Sequence, residues 1–294
     1  MKAVAFIGLG VMGLPMSKNL VARGLDVLGC DIAGPSRDAL VAAGGRATAP
    51  EALSFDGCEA VITMLPEGAH VLDVYESTVF PLATPDMVLI DCSTIDVETT
   101  RSLATEAAAK GLAMIDAPVS GGHAAAGIGQ LSFMIGGDDG AVARARPLLE
   151  EMGTKLQHFG ASGAGQAAKA CHNMICGITA MAVCEGYALS QALGLDAKQF
   201  HALCKGAAAQ SWTLENRCPI PGVAANVPSS NDYQPGFAAR LMAKDLRLAQ
   251  TAAKAVGQET PFGAEAAQRF TDFAAGDDGD LDFSAYYRTL RPES

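Results

Sequence analysis

Apolar positions fall into short, nearly continuous runs in the first half of this chain and into stripes of helical spacing in the second. Ala3 to Ile7, Asp26 to Cys30, Ala60 to Leu65, Met87 to Asp91, Leu112 to Val119, Leu131 to Ile135 and Lys155 to Phe159 have strand length. Runs such as AVITML and MVLID lack polar alternation, as strands buried on both faces of a parallel sheet do. Helical patterns lie between them, one leading from the glycines at 8–13 to near Gly24 and another from Ala141 to Met152. This alternation predicts an α/β fold with a doubly wound, Rossmann-type sheet.

Gly160 to Gly194 breaks the alternation and reads as a glycine-loosened start followed by one long helix. Ser162 can cap it, Gly163 and Gly165 permit close backbone approach, and Gly194 supplies a left-handed stop. Such a helix spans about 40 Å, enough to leave one domain and form the spine of another. Everything beyond it reads as helical. Asp196 can cap a short helix to about Lys205, Ser211 to Arg217 follows, and a proline-rich loop precedes an amphipathic helix from Phe237 to Val256. Pro261 opens a further helix and Phe283 to Leu290 forms the last. At 294 residues the chain exceeds one core, so we expect two domains, residues 1–161 and an all-helical 162–294.

Charge narrows the partners. With 21 Lys and Arg against 32 Asp and Glu, the net charge of −11 repels nucleic acid and anionic membrane surfaces, so neither is expected. A small anionic substrate would need a local cation. Eight cysteines without a CxxC pair read as reduced apolar residues of a cytoplasmic protein. Five histidines outside any metal-ligand spacing give no reason to expect a metal. A strand beginning at the N-terminus leaves no room for a cleavable leader, and the apolar run Met174 to Cys184 is too short to span a bilayer.

Candidate chemistry begins at GLGVMG, residues Gly8 to Gly13, between a strand and a helix. Gly8 allows the turn, Gly10 lets a pyrophosphate reach the backbone N–H groups at the helix start, and Gly13 lets helix and strand pack closely. Leu9, Val11 and Met12 fill the same turn. Asp31, ending the second strand, suits the ribose hydroxyls and repels a 2′-phosphate, favouring NAD over NADP, although Arg37 lies close in sequence. Leu65, Pro66, Ser93 and Thr94 lie past strand ends, where ligands of such sheets bind; Thr94 is alternatively part of the start of the helix near Asp96. Ser120 to Gly129 reads either as a flexible surface loop or as a nest of N–H groups, beside the Ser120 hydroxyl, for a carboxylate. Lys169 and Asn173 share one helix face at a spacing of four; as an arbitrary pair they would be solvated, as would Lys244.

Six segments in this order resemble the beta-hydroxyacid dehydrogenase family over essentially the whole chain: FIGLGVMGLPMSKNL, MLP at Met64 to Pro66, IDCST, DAPVSGG, GAGQAAK with Asn173, and LMAKDLRLA. The resemblance implies that Lys169 is catalytic and that Ser120, Gly121, Gly122 and Asn173 hold the substrate. It further implies that Met64, Leu65 and Pro66 meet the cofactor, and that Lys244 reaches the cofactor and substrate region. A cleft between the domains would be the active site, and the helical domain would aid formation of a homo-oligomer, a dimer or tetramer. SWTLENRCPIPG and PSSNDYQPGF are more similar to the hydroxyisobutyrate branch than to the tartronate semialdehyde branch. Three residues depart from the pattern: Ala125 stands where glycine is usual, His172 where asparagine often precedes Asn173, and Arg247 where the hydroxyisobutyrate branch often has glycine.

The expected reaction is hydride transfer between NAD and a small 3-hydroxy acid, 3-hydroxyisobutyrate going to methylmalonate semialdehyde, with Lys169 as general base. A lysine of ordinary pKa, about 10.4, is a poor base at neutral pH, so burial and a neighbouring cation, Lys244, would have to lower it. The rivals are a tartronate semialdehyde or related short-aldehyde reductase and a non-catalytic dinucleotide-binding module.

Overall fold

A computed structural model describes residues 3–290. The chain divides into two compact units, Met1–Lys169 and Ala170–Ser294, so the division falls inside the long helix rather than before it.

In the first unit, β1 (Ala3–Ile7), α1 (Gly13–Ala22), β2 (Asp26–Cys30), α2 (Gly34–Val41) and β3 (Arg46–Thr48) form one wing. The other wing begins with β4 (Cys58–Thr63), α3 (Gly68–Val74), a π-turn over Tyr75–Val79 and α4 (Phe80–Leu82). It continues through β5 (Val88–Asp91), α5 (Val97–Ala109) and β6 (Ala113–Asp116). Next come β7 (Val119–Ser120), α6 (Gly122–Gly127), β8 (Leu131–Gly136), α7 (Asp139–Glu150) and β9 (Gly153–Gly160). The strand order is β3-β2-β1-β4-β5-β6-β8-β7, with β9 beside β8. From β3 to β6 all pairing is parallel; β8 runs antiparallel to β6 and β7 and parallel to β9. The connection changes direction between β1 and β4, the switch point where ligands of open α/β sheets bind.

Each central strand supplies both faces of this sheet. Val4, Phe6, Ile62 and Ile90 pack into one core and Ala5, Ile7, Val61 and Leu89 into the other, the two-residue alternation expected of strands covered by helices on both sides. Full burial of such side chains contributes about 1.5–3 kcal/mol each.

Two strands are shorter than their apolar runs. AVITML pairs only as far as Thr63, leaving Met64 and Leu65 in the turn beyond β4. The run from Leu112 to Val119 breaks at Ala117 and Pro118, after which β7 pairs antiparallel with β8. The Ser120 to Gly129 segment is not an open loop, since α6 occupies its middle.

The long helix is α8 (Ala164–Ala192). Gly194 ends it at φ +78°, and the Leu195 N–H reaches back to the Ser190 carbonyl, a Schellman closure. Ser162 is not what holds its start: the N–H groups of Gly163 and Gln166 go to the carboxylate of Asp116 at the end of β6, at 2.7 and 2.9 Å. By length and a mean hydropathy of 1.2 over eighteen residues α8 meets the test for a membrane span, more than its Met174 to Cys184 stretch suggests; core helices of soluble proteins meet it too.

The second unit packs the rest of α8 with α9 (Ala197–Cys204), α10 (Trp212–Asn216), α11 (Ala239–Ala255) and α12 (Pro261–Ala274), closed by 3-10 turns over Asp277–Asp280 and Phe283–Leu290. Its core gathers Phe270, Phe273, Phe283, Tyr286 and Tyr287. The proline-rich loop is tied down by buried Asp282, which accepts the N–H groups of Gly236 and Phe237 and pairs with Arg217 at 3.2 Å.

Candidate functional site

The turn after β1 is built by exclusion. Gly8 has φ +95°, and a Cβ there would collide with the Met64 carbonyl; one at Gly13 would collide with the Gly8 carbonyl and stand 3.0 Å from the Phe6 ring. These contacts press the start of α1 against the sheet. Gly10 differs, because a Cβ there would meet nothing within 4 Å: it would enter open space in front of the helix. Gly10 and Val11 are exposed, Met12 is half-buried, and α1 has no side-chain cap. A helix start left open in this way accepts an anion, and the space a Gly10 Cβ would fill suits a dinucleotide pyrophosphate.

Asp31 stands beside this turn. Its Oδ2 accepts the Leu9 N–H at 2.6 Å and its Oδ1 the Ala33 N–H at 2.7 Å, so the carboxylate is fixed by main chain with lone pairs still available for hydroxyl donors. Arg37 donates Nη1 to the carbonyls of Asp31 and Ile32, at 2.6 and 3.1 Å.

The ends of β4 and β5 meet through side chains. The Leu65 N–H donates to Ser93 Oγ at 2.9 Å, joining the two turns that carry Met64, Leu65, Pro66, Ser93 and Thr94. Pro66 is exposed, Met64, Leu65 and Thr94 are half-buried, and Ser93 is buried. Behind them lies Asp91, fully buried. Its Oδ1 accepts from Thr63 Oγ1 at 2.8 Å and the Ser93 N–H at 3.1 Å, while its Oδ2 has no hydrogen-bond partner. Burial pushes its carboxyl up to about 6 against these bonds.

Gly121 and Gly122 both have positive φ, +125° and +66°, at the junction from β7 into α6. A Cβ on Gly121 would lie 2.6 Å from the Ala125 methyl, so Ala125 closes over Gly121. Ser120 is half-buried and registers with Ser132 on β8. One residue before it, the Val119 carbonyl accepts a 2.8 Å hydrogen bond from Lys169 Nζ, and Lys169 is only 8% exposed. The amine is therefore directed at the strand that leads into the Ser120 to Gly122 turn rather than into solvent.

In the second unit Asn173 is buried and both ends of its carboxamide are engaged. Nδ2 donates to Asp245 Oδ2 at 2.5 Å, and Oδ1 faces His172 Nδ1 at 2.8 Å. Lys244 Nζ lies 3.4 Å from Asp245 Oδ1. His172 thus takes a hydrogen-bonding place beside Asn173, whereas Arg247 is exposed. Sequence reasoning quoted Asp91, Asp116, Gln166 and Asp245 within motifs without giving them a task. The signal was there: a carboxylate or carboxamide in a run otherwise apolar enough to be buried must find partners.

A sequence model described as the NAD binding domain of 6-phosphogluconate dehydrogenase matches residues 3–160, and one described as NAD-binding of NADP-dependent 3-hydroxyisobutyrate dehydrogenase matches 163–290. A probable 3-hydroxyisobutyrate dehydrogenase of Mycobacterium tuberculosis is 45% identical over 294 residues, 99% of this chain and 98% of that protein. The chain belongs to the beta-hydroxyacid dehydrogenase family. An NAD-dependent L-serine dehydrogenase of Pseudomonas aeruginosa is 41% identical, covering 99% of both chains. A solved structure of the Mycobacterium tuberculosis 3-hydroxyisobutyrate dehydrogenase with L-serine superimposes with a TM-score of 0.92 at 43% identity, covering 99% of this chain and 100% of that one. As a beta-hydroxyacid dehydrogenase the chain is an NAD-dependent oxidoreductase. The uncapped start of α1 and the fixed Asp31 carboxylate fit that cofactor's pyrophosphate and ribose. The non-catalytic module is thereby set aside.

Proposed function

We propose that this beta-hydroxyacid dehydrogenase oxidises 3-hydroxyisobutyrate to methylmalonate semialdehyde, with Lys169 as the proton-transfer group. The observation that carries the reading is the buried Lys169 amine bonded to the Val119 carbonyl, beside the Ser120 to Gly122 turn and one helical turn before Asn173. Bound at the start of α1, NAD would supply the hydride acceptor for oxidation of the carbinol carbon. Lys169 takes the hydroxyl proton in oxidation and returns it in reduction. Ser120, Gly121 and Gly122 hold the substrate carboxylate, and the Asn173 carboxamide, set by Asp245 and His172, orients the hydroxyl. Lys244, paired with Asp245, is the proposed cation of the substrate and cofactor region. Gly8, Leu9, Gly10, Val11, Met12 and Gly13 take the pyrophosphate, Asp31 the ribose, and Met64, Leu65, Pro66, Ser93 and Thr94 the nicotinamide side.

A second substrate has support of its own. L-serine dehydrogenase is the name of a relative 41% identical to this chain, and L-serine accompanies the solved mycobacterial relative. Serine is also a 3-hydroxy acid and differs at C2, where an ammonium replaces a methyl. Tartronate semialdehyde, reduced in the reverse direction, is the third arm of the comparison. The experiment is a spectrophotometric screen of the three with NAD(H) and NADP(H) in parallel. The expected result is the highest kcat/KM for 3-hydroxyisobutyrate with NAD; a higher value for serine or for the aldehyde would reassign the substrate.

A further inference from the structure

The first turn of α8 carries a carboxamide that none of these roles uses. Gln166 is 1% exposed, and both of its polar atoms face the turn after β5. Nε2 donates to the Ser93 carbonyl at 2.8 Å and Oε1 accepts the Ile95 N–H at 3.2 Å, so the side chain brackets Thr94 from both sides. Ser93 accepts the Leu65 N–H in turn, extending the tie to the end of β4. On the other side the same helical turn is pinned to β6: Asp116 accepts the N–H groups of Gly163 and Gln166, and a Cβ on Gly165 would stand 2.7 Å from Asp116 Oδ2. Lys169 follows Gln166 by three residues, slightly less than one helical turn. A buried leucine or methionine would fill this space but would take these partners from the Ser93 carbonyl and the Ile95 N–H, so the amide also contributes to stability and only kinetics can separate the two roles.

We propose that Gln166 is a positioning residue that locks the Ser93 to Ile95 turn to the helix bearing Lys169. The turn that meets the nicotinamide side and the amine that moves the proton then keep one fixed offset. Uniform binding of either ligand does not need this tie, whereas a reaction sensitive to misplacements of about 1 Å does. The inference rests on the assignments of Lys169, Ser93 and Thr94 given above.

The test is Gln166→Met, with Gln166→Ala, which also lacks both amide atoms, measured in the same way should the methionine variant fail to fold. Two results are expected together. In the cofactor-free protein the Ile95 amide exchanges with deuterium at least about tenfold faster, because its acceptor is gone. In turnover kcat falls about a hundredfold while the Kd for NAD and the KM for the hydroxy acid move less than about threefold. Unchanged Ile95 exchange, an unchanged kcat, or a loss carried by Kd and KM instead would each overturn the proposal. Lys169→Ala is run beside it. Retained turnover in that variant removes the reading of Lys169 itself; lost turnover there with normal turnover in Gln166→Met removes only the tie.

Discussion

Two helices start in the first unit after strands, α1 and α8, and their first turns are finished in opposite ways. α1 follows β1 with no side-chain cap, with Gly10 and Val11 exposed and open space where a Gly10 Cβ would go. At α8 the buried Asp116 carboxylate spans two N–H groups, and Gln166 spends both amide atoms on the neighbouring turn. An open helix start is a binding surface and a filled one is an anchor. In the function proposed above, the first receives the anionic cofactor and the second holds the helix that carries Lys169.

Removing the anchor should have the largest effect. Asp116→Ala leaves buried N–H groups at the start of α8 without an acceptor, and at about 1–3 kcal/mol for each group the expected destabilisation is about 3–5 kcal/mol. Thermal or denaturant unfolding measures it; a loss below about 1 kcal/mol would mean that Asp116 holds nothing.

Asp91 gives the next contrast, since it is the register partner of Asp116 on β5 yet has one oxygen with no hydrogen bond. Its carboxyl is pushed by burial from 3.8 to about 6, so between those values the folded chain holds a proton that the unfolded chain has released. Folding then takes up a proton, and this site's contribution to stability falls as pH rises from about 4 to about 6, by up to about 3 kcal/mol in total. Asp91→Asn should flatten that part of the stability profile. An unchanged slope would show that Asp91 ionises at its ordinary pH when folded.

The open helix start predicts a smaller change of a different kind. Gly10→Ala adds a methyl to empty space, so unfolding should shift by less than about 0.5 kcal/mol while NAD affinity drops about tenfold, or 1.4 kcal/mol. Normal affinity in this variant would place the pyrophosphate elsewhere.

The sheet was legible because burial on both faces leaves uninterrupted apolar runs, and the glycine turn because Gly8 and Gly13 face collisions that other residues cannot avoid. β3 escaped notice, since three residues at a sheet edge with the sequence RAT carry no apolar signal. The spacing of Lys169 and Asn173 put them on one helix face, but only the family resemblance singled them out from a solvated pair. Gln166, Asp116 and Asp245 were not given tasks, because their partners are backbone groups or side chains 47 to 73 positions away in sequence. Local patterns cannot reveal which distant group a buried amide or carboxylate will meet. The capping of α8 shows the same limit: Ser162 is adjacent and suitable, yet a carboxylate from β6 takes the position.

The account depends most on Lys169. Single-turnover formation of NADH by Lys169→Ala, with NAD binding measured on the same protein, tests it directly. The predicted result is a hydride-transfer rate lower by about 10²–10⁴-fold with NAD affinity within about threefold of the parent. A rate close to that of the parent would contradict the assignment and move the proton-transfer group elsewhere.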